Sequence, residues 1–148
     1  MSRTTPSPDI RELAQRLLAY EAAGDNPSGT DIPAGSRVVD KLRRPLSTLA
    51  GSSGFRALLA RSLTLAKAQV PRLGAVRIKP EGSLEGLGDV GNQDQVAEAE
   101  VMLIAQLLGL LVVFIGESLT LNLVLDVWPH SPLFDTEPWT KTDHAPTR

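Results

Sequence analysis

A chain of 148 residues, 42% apolar and 22% charged, has the material for one domain with an ordinary core, and its 4% aromatic content makes that core one of Leu, Val, Ala and Ile. The absence of Cys excludes disulfides, thiolate catalysis and Cys-ligated zinc, and it fits a reducing, cytoplasmic setting. A formal net charge of −2 conceals a split: residues 37–79 hold ten Lys/Arg and one Asp, whereas residues 80–148 hold two Lys/Arg and eleven acids.

The first residues, Met1–Pro6, form no pattern, and no apolar stretch there suggests a secretory signal. Ser7-Pro8-Asp9 is a helix start, with Ser at the cap, Pro in the first turn and an acid beside it. Ile10, Leu13, Ala14, Leu17 and Leu18 then recur at helical spacing, and Gly24 stands where the helix should stop. The spacing predicts a first helix over residues 8–23. Residues 25–35 carry two Pro and two Gly and read as a loop.

Ser36 is placed to cap a second helix bearing Val38, Val39 and Leu42, which Pro45 should bend or divide. Gly51-Ser-Ser-Gly54 reads as a break. Phe55, Leu58, Leu59, Leu63, Ala66 and Val70 mark the apolar face of a third helix, ended by Pro71 and Gly74. Ala75-Val-Arg-Ile-Lys79 alternates and runs into Pro80-Glu-Gly82, which suggests a short hairpin. An acidic, glycine-rich linker follows, and Asn92 or Asp94 should open the last long helix.

That last helix organises the chain. Between Val101 and Gly116 the one polar residue is Gln106, so the segment is apolar on every side and must be buried all round or cross a membrane. The run falls short of the roughly 20 apolar residues a span needs, and no Lys or Arg flanks it, so no span is expected. Ala105, Gly109, Val112 and Gly116 form a stripe of small side chains. Either something packs close against them, which would make the stripe a self-association surface, or the glycines mark a break. Residues 117–127 alternate with period two, yet Leu119, Leu123, Val124 and Val127 also share a helical face, and helix is the preferred reading.

Catalytic chemistry finds little support. Gly86-Leu-Gly-Asp-Val-Gly91 matches a dinucleotide fingerprint, but no hydrophobic strand feeds it and four acids surround it. The same acids do not follow a calcium-loop order, and both histidines, His130 and His144, fall near the C-terminus. Glu117, beside the apolar run, is a carboxylate that burial could perturb. No enzyme, cofactor or metal is expected.

The expected architecture is mainly α: about four helices around a long apolar C-terminal helix, with one possible hairpin. Residues 1–7 are expected to be a disordered N-terminus, 8–128 the single helical domain and 129–148 a Pro-rich tail; Trp128 at its start, with Phe134 and Trp139, could dock on a partner or fold back over the core. Two or three amphipathic helices should not fully cover a helix apolar all round, and a second copy of the chain or a protein partner would complete it. The leading expectation is therefore a non-enzymatic, homodimeric interaction protein, an adaptor or regulator. The alternative is a nucleic-acid-binding regulator using Arg37, Lys41, Arg43, Arg44, Arg56 and Arg61. Those bases could instead complement the acidic C-terminal half, within one chain or between copies. A third option is a small apolar pocket near Gly109 and Gly116, with its ligand unspecified.

Overall fold

The computed structural model describes residues 8–23 and 33–128. The Ser7 cap, the Gly24 stop, most of the first loop and the tail's Phe134 and Trp139 lie outside them. Among the described residues are four α-helices, one small antiparallel hairpin and two short 3-10 turns (Pro71–Ala75 and Leu87–Asp89): α1 (Pro8–Ala23), α2 (Ala34–Gln69), β1 (Arg77–Ile78), β2 (Leu84–Glu85), α3 (Gln93–Ile115) and α4 (Glu117–Val127). The mainly helical architecture with a short hairpin is the expected one.

α3 is the centre, and α1 and α2 both lean on it. Its residues Met102 to Leu108 are buried without interruption. Leu13, Leu17, Leu42, Leu46, Phe55, Leu59 and Leu73 close around it, all but fully buried. Burying a Leu or Phe side chain contributes about 1.5–3 kcal/mol, so this jacket is the main source of stability. The N-terminus of α3 has the reciprocal cap that its sequence foretells. Asn92 Oδ1 accepts from the Gln95 amide, and Gln95 Oε1 accepts from the Asn92 amide, both at 2.9 Å.

Two boundaries differ from the sequence expectation. Ser36 does not cap α2; it is buried inside the helix, whose cap position falls on Pro33. Proline offers no side-chain acceptor, and the need is met from outside: Glu100 of α3 accepts the Gly35 amide at 3.0 Å. Nor does Pro45 divide α2. The helix continues through it and turns at Gly51 (φ 80°, ψ 161°), giving an N-terminal arm and a C-terminal arm. Gly116 (φ 92°, ψ 160°) breaks the last helical stretch into α3 and α4 in the same way. Both residues occupy a backbone region that L side chains rarely enter, and space around each is open. Backbone conformation, not crowding, explains glycine at both elbows.

The hairpin pairs Arg77 with Glu85 and Ile78 with Leu84. Its Leu84, with Leu73, Val76 and Leu87 of the flanking short turns, seals the core beside the C-terminal arm of α2. Arg56 of that arm donates to the Pro80 carbonyl at 3.2 Å and ties the hairpin down.

Gly109 within α3 and Gly116 at its end should respond in opposite senses. Gly116→Ala is expected to cost about 1–3 kcal/mol, because its backbone angles exclude a side chain. Gly109→Ala, at a regular helical position with nothing within 4 Å of a new Cβ, is expected to gain about 0.5–1 kcal/mol. Urea unfolding of the two variants gives the signs; a loss at Gly109 would mean that something outside the chain packs there.

Candidate functional site

Two regions of the surface and interior carry unusual chemistry. The first is a polar knot at the C-terminal end of α1. Glu21 extends the apolar face of Leu13, Ala14, Leu17 and Leu18 by one turn, and it is accordingly buried, at 5% exposure. Its carboxylate binds three side chains from two elements. Arg37 Nε approaches Oε1 at 3.3 Å, Lys41 Nζ donates to Oε2, and Trp128 Nε1 donates to Oε2 at 2.8 Å. Arg37 Nη2 also donates to the Glu21 carbonyl at 2.6 Å. Burial alone would push this carboxyl up; the hydrogen bonds from Lys41, Trp128 and Arg37, with the charge of Lys41, outweigh it and hold the group below its ordinary range.

Glu100 shows the contrary balance. Burial raises its carboxyl, and the Gly35 amide and the charge of Arg37 offset that only partly. It acts as the missing cap of α2. Glu98, two residues earlier, is exposed on another face, and Glu117 is exposed in the first turn of α4. Among the described residues, no three His, Asp or Glu side chains gather as metal ligands.

The six basic residues singled out by sequence do not form one surface. Arg37 and Lys41 converge on Glu21, and Arg43 pairs with Asp40 one turn away. Arg56 serves the hairpin. Arg44 and Arg61 are exposed and pair with no acid among the described residues, and they stand on opposite sides of the Gly51 elbow. The direct ion pairs of Lys41 and Arg43 thus reach Glu21 and Asp40, not the acids after residue 80. Trp128 leaves the set of docking aromatics: at 2% exposure it is a core residue that anchors the end of α4 on Glu21.

The second region is the end of the bundle where both glycine elbows lie. Cover over α3 stops after Leu111. Val113 is 84% exposed, Phe114 58%, and Leu119 of α4 46%, while Leu49, just before the Gly51 elbow, is 49% exposed. Of the small-residue stripe, Ala105 is buried in the chain's own core, whereas Gly109, Val112 and Gly116 are half-buried and lead towards this bare end. Phe114 also forms one wall of an apolar groove of about 380 Å³, with Ala50, Gly54, Ala57, Leu58 and Arg61 of α2 as the rest. α3 is long and apolar enough to cross a bilayer, but 56% of its most apolar window is buried by the chain itself.

Glu21 and Glu100 were both detectable as acids on otherwise apolar helical faces. Glu21 lies four residues after Leu17, and Glu100 three before Leu103. Val113 and Leu119 gave no such signal, since they resemble their buried neighbours in every respect but position.

Glu21→Gln is expected to lower stability at pH 7 by about 1–3 kcal/mol, the range for hydrogen bonds to a charged group, moderated because Lys41 can turn to solvent. A carboxyl whose pKa is depressed by folding stabilises above its ordinary value and loses that contribution as pH falls through the folded one. The gap between the two proteins should therefore be full above pH 4.5 and narrow below it. Denaturant unfolding at pH 7 and pH 3.5 measures it; a gap independent of pH would assign the effect to packing.

No family model, curated protein or solved structure matches this chain.

Proposed function

We propose that the protein is a non-enzymatic helical interaction module that self-associates as a homodimer through the bare end of α3. The observation that carries this reading is the exposure of Val113, Phe114 and Leu119 around the Gly116 elbow. Elsewhere the chain covers α3 closely, so the uncovered turn is localised rather than scattered. Single exposed apolar residues are ordinary on proteins, but a contiguous cluster marks a contact surface. A second copy offers the same patch, and a two-fold contact between identical patches closes without further growth. Gly116, with no side chain, leaves room for close approach beside it.

The nucleic-acid alternative has less to draw on. Of its six bases, three are engaged by the chain's own acids and one by a carbonyl. Phosphate binding depends on bases free to displace counterions, and the remaining two are separated by a bend in α2.

Sedimentation velocity without detergent, at low and high salt, tests the proposal. A dimer held by apolar contact should persist at high salt. Val113→Asp should give a monomer with a melting temperature close to that of the parent, because Val113 contributes almost nothing to the chain's own core. A parent chain that sediments as a monomer under both conditions would sink the reading. Salt-sensitive retention on nucleic acid, lost on Arg44→Gln and Arg61→Gln, would favour the alternative.

A further inference from the structure

The groove beside Phe114 differs in kind from the outward-facing patch. It is walled by two α2 segments on either side of the Gly51 elbow and by the last full turn of α3. Its floor is made of the small residues Ala50, Gly54 and Ala57. Gly54 is needed there: a Cβ would stand 2.7 Å from that of Ala50. Leu58 and Phe114 supply apolar sides. Arg61 is the one charged group of the lining.

We propose that this groove binds an unbranched long-chain monocarboxylate, with the alkyl chain on Ala50, Gly54, Ala57, Leu58 and Phe114 and the carboxylate on Arg61. A volume of about 380 Å³ falls within the roughly 300–1,000 Å³ usual for small-molecule sites. The lining is apolar apart from Arg61, so a polar ligand would lose hydration without replacement bonds. The guanidinium is the side chain whose fork of N–H donors matches a carboxylate in two parallel bonds. Arg61 has no acidic partner among the described residues, and the sequence from Lys41 to Pro80 contains no Asp or Glu to compete for it. One cation beside an otherwise apolar groove selects an amphiphile with one negative end. This inference does not require self-association, although Phe114 borders both regions.

Isothermal titration of the 148-residue chain with dodecanoate, below its micelle concentration, tests it against dodecyltrimethylammonium. One dodecanoate should bind per chain, with no comparable uptake of the cationic amphiphile. Arg61→Gln should weaken binding at least tenfold, and Ala57→Trp, a change at an exposed position, should abolish it by filling the floor. Equal binding of both amphiphiles, or affinity unchanged in those two variants, would mean adsorption to apolar surface and would overturn the site. Binding seen only after Phe134→Ala and Trp139→Ala together would assign the groove to the chain's own tail. Binding seen only in Val113→Asp would assign it to the second copy, leaving self-association intact while removing the ligand. No binding in any variant would remove it as well.

Discussion

A helix that is apolar on every side has to be covered on every side, and the rest of this fold follows from how far one chain can meet that demand. At 1.5 Å per residue, the 23 residues of α3 extend about 35 Å and the 16 residues of α1 about 24 Å. α1 alone cannot reach both ends. The N-terminal half of α3 is closed by the start of α2 and by the turns around the hairpin, through Gly35 and Leu87. The C-terminal turn is left to α4, which folds back at Gly116 and buries Thr120, Leu123 and Val124 but not Leu119. The deficit expected from helix count alone is thus real, and chain geometry places it at one end.

Burial of two carboxylates is the second consequence of wrapping. An acid on an apolar helical face costs free energy unless the packed neighbours return its lost hydration. Glu21 is repaid by two cations and an indole, and it becomes the joint where α1, α2 and the end of α4 meet. Glu100 is repaid by one amide and remains the less satisfied of the two, yet it supplies the acceptor that Pro33 cannot. Both acids connect elements far apart in sequence, 107 positions for Glu21 and Trp128 and 65 for Glu100 and Gly35. Neither partner could be named from local pattern. They arise because tertiary packing carries a donor to an acid that the helical period had already placed inside.

What was legible in the sequence was local. The period of α1, the Asn92 cap, the hairpin near Pro80-Glu-Gly82 and the helical face of residues 117–127 are encoded within a turn or two, and the structure has them. The errors share one cause. Ser36 is a good cap by type, but the chain already enters helix at Ala34, with Glu100 supplying the acceptor. Pro45 should bend or divide a helix, but α2 continues through it; the bend falls at Gly51, at the start of the Gly51-Ser-Ser-Gly54 stretch that the sequence marks as a break, where glycine reaches backbone angles closed to other residues. For Trp128 the sequence left open docking on a partner or folding back over the core; the structure has it folded back, and no sequence rule shows that Glu21 waits for its indole. The charge split is plain in composition, but composition does not say which acids its bases meet: three of the ten, Arg37, Lys41 and Arg43, are tied to Glu21 and Asp40. Exposure of Val113 was the least legible feature, since it depends on where α1 and α4 stop.

The two glycine elbows give that exposure its meaning. Gly51 and Gly116 hold nearly the same backbone angles and bring the ends of four helical segments to one end of the bundle. The residues between and beside them are under little demand from the core. Val113 is mostly in solvent, so a polar side chain there would cost the fold almost nothing and would spare water an apolar surface. Leu119 and Leu49 are about half exposed as well. Apolar side chains at positions where the fold does not require them, gathered at one end and adjoining a groove with a single cation, are the surface on which the proposed self-association rests.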